Sequence, residues 1–579
     1  MLKFIKRVIN NIFICVLFFV ISLSANSAIY AEFPPGYAVA SANPLATNAG
    51  LEILAQGGNA FDAAVAVSAV LAVVEPYHSG LGGGGFWLLH QAKSNKNIFI
   101  DGREVAPGAA SRGMFVGADG KLIPELSLNG GKSIAIPGEP AALVLIAKRY
   151  GKLPLTQTLA PAIRIAEQGF IVDYHYDSFI KMGDRLQQLQ KFKASAAVFL
   201  QDGKPYQIGA RLIQRDLANT LSTLAKQGHN GFYRGEVAER LVSAVNRAGG
   251  IWTIQDLENY QVKVREPLRG KFHNVEVITA PPPSAGGVSL LTMLNILAGY
   301  PLHSLSKAQW VHYLVEAMRL SYWQRMELLA DPDFVNIPLK KVLSMENANN
   351  LRKYISPKQA TDSSALPEKK LDAPEGGNTT HFSIIDSEGN CVSATLSINY
   401  IFGSSVTADG TGVLLNDEMD DFATSPGEKN VFGLVGGMNN AIEPGKRPLS
   451  SMTPTFLETA DRRAILGVPG GSRIPTMVLL STLVFSDSFG AISMVSAMRF
   501  HHQYLPDILQ FEPDTFPSAL QAQLKDMGYR LAPLEQYYGD MQAITWDRKT
   551  NLLTAASDPR RIGQGTVVGK PLTGYGSQH

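Results

Sequence analysis

The spacing of apolar residues changes along the chain. Residues 43–74, NPLATNAGLEILAQGGNAFDAAVAVSAVLAVV, are rich in Ala, Val and Leu and are interrupted at QGGN. This pattern predicts two packed helices joined at Gly57-Gly58. GLGGGGFWLLH and NIFIDGREVAP follow and predict two strands whose glycines permit close backbone approach. From about 138 to 260 the pattern is helical: PGEPAALVLIAKRYG, TLAPAIRIAEQG, DLANTLSTLAKQG and GEVAERLVSAVNRAGG each end at glycine. PPPSAGG at 281–287 precedes a helical pair over 288–298 and 307–329. Residues 346–377 are polar, end in DAPEGG and predict an exposed linker. Beyond them strands take over: TTHFSIID, CVSATLSI, TGVLLN, PTFLET, AILGVPGG and QAITWD, with helices returning near 475–486, 490–498 and 515–527. No internal repeat is present.

Composition narrows the class. The 579 residues are 45% hydrophobic and 18% charged, so the chain can bury a large core and is not of disordered type. A net charge of +2 without an extended Lys/Arg run gives no sign of nucleic acid as a partner. The N-terminus is distinct. Lys3, Lys6 and Arg7 precede an apolar run from Ile12 to Leu23, then small residues at Ser24, Ala25, Ser27 and Ala28. That layout predicts a secretory signal peptide over 1–28 and a periplasmic or secreted product. An uncleaved anchor is the alternative, although the run is shorter than the roughly 20 residues a bilayer requires. Cys15 would leave with the signal; Cys391 remains alone, so no intramolecular disulfide can form, and its strand pattern predicts a small packed hydrophobe.

The candidate chemistry lies in EGGNTTHFSIIDSEGNCVSAT, Glu375 to Thr395. A glycine-rich leader runs straight into a strand, and Ser387-Glu388-Gly389-Asn390 makes the turn of a hairpin. Alternation sets Thr380, Phe382 and Ile384 on one face and Thr379, His381 and Ser383 on the other. An edge strand explains the alternation, and Asn378-Thr379-Thr380 also fits the N-glycosylation pattern. A third reading is chemical. A threonine freed at a chain end can use its own α-amine, with a pKa of about 7.7–8.0, as the base for its hydroxyl.

NTTHFSIID, NDEMDDF, KRPLSSMTPT, VPGGSR and RFHHQYLPD together resemble the γ-glutamyltranspeptidase (glutathione hydrolase) family, as do DAAVAVSAVLAVVEPYHSGLGGGGF, DGREVAP, GKLP, PPPSAGG and ADPDF. The resemblance runs from about Val39 to Gly565. It implies an α/β fold, a four-layer αββα sandwich of the N-terminal-nucleophile hydrolase type, built from two autocleaved chains. Cleavage between Asn378 and Thr379 would leave a large subunit, 29–378, and a small subunit, 379–579, joined as a heterodimer. Thr379 would be the nucleophile, helped by Ser397, where the family usually has threonine. Gly470 and Gly471 would supply the oxyanion donors. Arg103, Ser450 and Ser451 would hold a substrate carboxylate, and Asn399, Glu418 and Asp421 its ammonium. Phe432 stands where some bacterial members carry a lid tyrosine, so a lid there would lack that hydroxyl. The substrates implied are glutathione and other γ-glutamyl compounds, with water, amino acids or dipeptides as acceptors and with no metal or cofactor.

Other signals are weak. Gly80 to Gly85 match a dinucleotide fingerprint, but a helix precedes and a strand follows, the reverse of what that motif needs. His501-His502 lack a third ligand for zinc. Two competing functions remain open: a glutaryl-cephalosporin acylase of the same fold, and a non-catalytic envelope binding protein. Arg103 with Asp421 argues against the first, because a glutaryl group carries no ammonium to pair with Asp421.

Overall fold

The computed structural model describes Met1, residues 30–366, residues 379–423, Leu434 and residues 437–569. The expected signal segment, Asn378 and Phe432 lie outside the described residues. In chain order the elements that frame the site are β1 (Gly36–Ser41), α1 (Pro44–Ala55), α2 (Ala60–Val74), β2 (Gly84–Gln91), β3 (Lys96–Gly102) and α3 (Glu139–Tyr150). Then come β4 (Lys263–Arg265), β5 (Leu268–Phe272), β6 (Val275–Thr279), α4 (Gly286–Leu297) and α5 (Lys307–Leu328). After the linker region follow β7 (Thr380–Ile385), β8 (Cys391–Ser397), β9 (Thr455–Glu458), β10 (Arg462–Gly467), α6 (Ile474–Ser486), β11 (Gln542–Asp547), β12 (Leu552–Ser557) and β13 (Gln564–Gly569).

These strands form two antiparallel sheets, ordered β13-β1-β7-β8-β2-β3-β4 and β12-β11-β10-β9-β6-β5. The sheets pack face to face through β1, β7 and β8 against β10, β11 and β12. Helices α1, α2 and α3 cover the outer face of the first sheet, and α4 and α6 cover that of the second. The result is the four-layer αββα arrangement. Each sheet takes strands from both sides of position 379. Separating the two segments would therefore expose both cores, so a backbone cut at that position leaves the sandwich intact.

Alternation along β7 does what the sequence predicts. Phe382 and Ile384 sit in the core under α2, while Ile385 joins the core between the sheets. The polar positions make the inter-sheet contacts: Ser383 Oγ donates to the Gln542 carbonyl at 3.1 Å, and Ser393 Oγ to the Leu466 carbonyl at 2.9 Å. The hairpin turn is held by Asp386, whose carboxylate accepts from the Glu388 and Asn390 amides and from Ala60 N at the start of α2. Cys391 is fully buried and burial pushes its thiol up to about 12, as suits a packed, inert side chain.

Two elements differ from the sequence reading. The linker expected over 346–377 is structured in its first part: Met345–Arg352 is a helix packed on α4, with Ala348 and Leu351 buried. Those two apolar residues at i,i+3 spacing form a stripe within an otherwise polar run. Ser363 and Leu366 are also buried; residues 367–377 lie outside the described residues. TGVLLN yields only the two-residue strand Val413–Leu414, because at Leu415 the segment changes partner and bridges Gly82.

Candidate active site

Thr379 immediately precedes β7. Thr380 pairs with Leu396 across the hairpin, so Thr379 falls level with Ser397 at the open end of the strands. Both are 4% exposed. Gly83 closes this end from the other side: a side chain there would stand 2.2 Å from the Ser397 carbonyl oxygen, so only glycine allows β2 to approach β8 so closely.

After Ser397 the chain turns sharply. Asn399 adopts φ +72°, a left-handed conformation that asparagine tolerates better than most residues. Its amide donates to Ser397 Oγ at 2.9 Å and its side chain donates to the Asp417 carbonyl at 3.1 Å. Asn416 anchors the facing segment. Its oxygen accepts from Ala135 N and Glu418 N at 3.0 Å, and its nitrogen donates to the Gly82 and Ala135 carbonyls at 2.7 and 2.8 Å. All four side-chain bonds are thus spent on shaping the acidic loop and fixing it against the Gly82 and Ala135 segments.

Arg103, 1% exposed, follows the end of β3 and points into that loop. Its guanidinium donates to Glu418 Oε1 at 2.6 Å and Asp421 Oδ2 at 2.5 Å, and to the Pro448 and Leu449 carbonyls at 3.2 and 3.3 Å. Glu104 Oε2 stands 3.5 Å away. Burial opposes the Arg103 charge, but Glu418, Glu104 and Asp421 outweigh it and hold the guanidinium firmly protonated. Burial pushes the carboxyls of Glu418 and Glu104 above their ordinary range, against the pull of Arg103. The guanidinium pairs directly with the Glu418 and Asp421 carboxylates. A zwitterion could exchange with them, its carboxylate taking the arginine and its ammonium the acids.

Ser450 and Ser451 complete this end. The PPPSAGG segment braces them: Ser450 N donates to the Pro283 carbonyl at 2.9 Å and Ala285 N to the Ser450 carbonyl at 2.8 Å. Arg325, buried, donates to Ser451 Oγ at 3.4 Å. Opposite them Gly470, at φ +143°, leads into the turn Gly471–Arg473 and then α6, whose N-terminus adds a partial positive charge. Tyr322 Oη donates to the Ser472 carbonyl and fixes that turn.

One cleft thus gathers Arg103, Thr379, Ser397, Asn399, Glu418, Asp421, Ser450, Ser451 and Gly471, with Met452 and Ile474 as its apolar walls. Gly470 faces an adjoining cleft instead. His381 belongs to neither: it is buried between the sheets, bonded to Thr395 Oγ1 at 2.8 Å, and burial lowers it to about 3, so it is neutral. His501 and His502 are also buried; they contact Thr476 and Asp507 rather than sharing a ligand. Among the described residues no group of three or more His, Cys, Asp or Glu is placed to hold a metal, and no helix is long and apolar enough to cross a membrane. Sequence reasoning missed Asn416, Glu104 and Arg325. The first two lie inside motifs already singled out, whereas Arg325 sits in the last turn of α5 with no local signal.

A family profile described as gamma-glutamyltranspeptidase matches residues 46–568. A glutathione hydrolase proenzyme from Pseudomonas sp. (strain A14) is 41% identical over 500 residues, covering 85% of this chain and 86% of its own. One from Escherichia coli (strain K12) is 38% identical and covers 90% of both chains. Among solved structures, cephalosporin acylase from Bacillus halodurans superposes with a TM-score of 0.81 at 28% identity, over 94% of this chain and 98% of that one. Helicobacter pylori gamma-glutamyltranspeptidase gives 0.54 at 33% identity, over 60% of this chain and 99% of that one.

Proposed function

The chain belongs to the γ-glutamyltranspeptidase family, and from that premise we propose that it is an exported, self-processed hydrolase and transferase of γ-glutamyl compounds, glutathione among them. The precursor cleaves itself between Asn378 and Thr379, giving a large subunit, 29–378, and a small subunit, 379–579, held together by their shared sheets. The freed α-amine of Thr379 takes the proton of its own Oγ. Oγ then attacks the γ-carbonyl, and the oxyanion is met by backbone amides of Gly470 and Gly471. The amine product leaves with the proton, and an acyl-ester remains on Thr379. Water, or the amine of an amino acid or dipeptide, then cleaves that ester. Ser397 assists at the hydroxyl. Arg103, Ser450 and Ser451 bind the glutamyl carboxylate, and Asn399, Glu418 and Asp421 its ammonium. A lid at Phe432 would cover the pocket by apolar contact alone.

The observation that carries this reading is the single cleft with Thr379 and Ser397 at one end and the Arg103–Glu418–Asp421 cluster at the other. The likeness to a cephalosporin acylase keeps a glutaryl substrate as the second reading. The buried acids weigh against it, because a glutaryl group brings no cation to balance them. Chromogenic γ-glutamyl and glutaryl amides assayed in parallel decide between the two. Preference for the γ-glutamyl compound is expected; preference for the glutaryl compound would overturn the proposal.

A further inference from the structure

A cage of largely buried charge lies behind Arg103. Asp101, in β3, is fully buried, as is Asp331; Arg447 is buried beside them. Asp101 Oδ1 accepts from Arg103 N at 3.0 Å, and its Oδ2 accepts from Arg265 Nε at 2.7 Å. Arg265, the last residue of β4, also holds Asp333 with both terminal nitrogens, at 2.9 and 3.0 Å. Arg447 closes the cage from the other side. Its Nε stands 3.4 Å from Asp101 Oδ1, and its Nη2 donates to the Gln261 carbonyl at 2.8 Å. Its backbone amide donates to Asp331 Oδ2 at 2.8 Å. Of these five charged residues only Arg447 lies after position 379.

The cage sits where two stretches are held in register. One is 101–103, which ends at the Arg103 side chain. The other is 447–451, which runs from Arg447 through Pro448 and Leu449, whose carbonyls accept from Arg103, to Ser450 and Ser451. Asp101 grips the first through the Arg103 amide and the second through the Arg447 guanidinium. Two neighbouring bonds support the join: Tyr260 Oη donates to the Arg103 carbonyl, and Ala106 N to the Lys446 carbonyl, both at 2.8 Å. A buried ion pair adds little net stability over a well-packed apolar replacement, so what such a cage supplies is fixed geometry. Arginine suits that use. Its planar fork reaches Asp101 and the Gln261 carbonyl together, which a single ammonium does not.

We propose that Arg447 is a positioning residue for substrate recognition: it sets where the Arg103 guanidinium stands relative to the Ser450 and Ser451 hydroxyls, and so how tightly the donor's α-carboxylate is held. The inference rests on the γ-glutamyl reading above. Arg447 is not among the residues lining the cleft; it acts through Arg103 and the two serines. Misplacing such groups by about 1 Å costs up to about a hundredfold. The α-carboxylate is bound alike before and during the reaction, so the loss falls on KM rather than on kcat.

The test uses the self-processed two-chain enzyme and two chromogenic anilide donors, γ-glutamyl and 4-aminobutanoyl, which differ only in the α-carboxylate. The ratio of their kcat/KM values measures what that carboxylate contributes. R447Q should cut the ratio about tenfold through a higher γ-glutamyl KM, with kcat within about threefold and the 4-aminobutanoyl donor unmoved. In this variant Arg265 still faces Asp101, Asp331 and Asp333, so no carboxylate of the cage is left without a cation. R447K, which keeps the charge but not the fork, should cut the ratio about threefold. An equal loss on both donors marks a general structural defect and overturns the proposal. An unchanged ratio in R447Q, or in R447K should R447Q fail to fold, also overturns it. A parent enzyme that turns over neither donor, or prefers the 4-aminobutanoyl compound, removes the γ-glutamyl reading itself.

Discussion

Replacing Arg103 with glutamine tests the charge balance of the cleft. Arg103 is the cation facing Glu418, which is fully buried and whose second oxygen, Oε2, has no hydrogen-bond partner among the described residues. R103Q removes the 2.6 Å and 2.5 Å bonds to Glu418 and Asp421 in one step. Breaking a buried ion pair from one side costs about 3–5 kcal/mol, because the remaining charge stays out of water. The protein can relieve part of this by protonating Glu418. Burial already raises that carboxyl and Arg103 pulls it back, so without the guanidinium it rises further. Native R103Q then holds a proton that the unfolded chain, with a glutamate pKa of about 4.3, releases. More protons on the native state mean that stability falls as pH rises from the unfolded value through the folded one, by about 1.4 kcal/mol per pH unit and per proton. Urea denaturation of the processed enzyme at pH 5.5 and 7.5 reads the slope. R103Q should be weaker than the parent at pH 7.5, with a steeper decline between the two values, and R103Q/E418Q should recover part of the loss. In parallel the donor KM should rise at least about thirtyfold, from loss of a charge-assisted pair worth about 2 kcal/mol or more. A single variant within about 1 kcal/mol of the parent at both pH values, not improved by E418Q, would refute the reasoning.

Three further outcomes follow from the geometry. G83A places a methyl carbon 2.2 Å from the Ser397 carbonyl and should displace β8 enough to lower kcat about a hundredfold while leaving the fold largely intact by circular dichroism; unchanged kcat would contradict the close-approach role. N416A removes all four bonds that fix the acidic loop and should lower stability by about 2–4 kcal/mol in thermal denaturation; a loss below about 0.5 kcal/mol would show that the loop holds itself. Burial lowers His381 and His501 to about 3, so both are neutral when folded and charge on unfolding near 6.5. Their contribution is complete above pH 6.5 and is lost as pH falls towards 3; each should cost about 2 kcal/mol between pH 7 and 5, and H381N should flatten the acid side of the stability curve if the assignment holds.

Much of this was readable from residue order. The period-two alternation of TTHFSIID sorted β7 into two faces, and the structure sets Phe382 and Ile384 under the helices and Ser383 against the other sheet. The glycines of GLGGGGF could be read as backbone contacts, and Gly83 is one. The residues assigned to the substrate came from the family resemblance, and the fold brings them to one cleft; nothing in their local spacing ties Arg103 to Glu418, 315 positions away. The direct Arg103–Glu418–Asp421 ion cluster was equally illegible, since residue types do not tell which charge neutralises which. The helix within 345–352 was hidden by its own polarity: only Ala348 and Leu351 reach the core, too few to stand out in a polar run. The adjoining cleft is formed where the 533–540 segment approaches Gly470 and His78, and only tertiary structure makes that proximity visible.

The most direct measurement is the N-terminal sequence and intact mass of the smaller chain in an active preparation, compared with T379A made the same way. Two chains are expected, the smaller beginning Thr379-Thr380-His381, with T379A uncut and inactive. An active enzyme that remains one polypeptide, or a smaller chain that begins at any other residue, would contradict a threonine activated by its own amine.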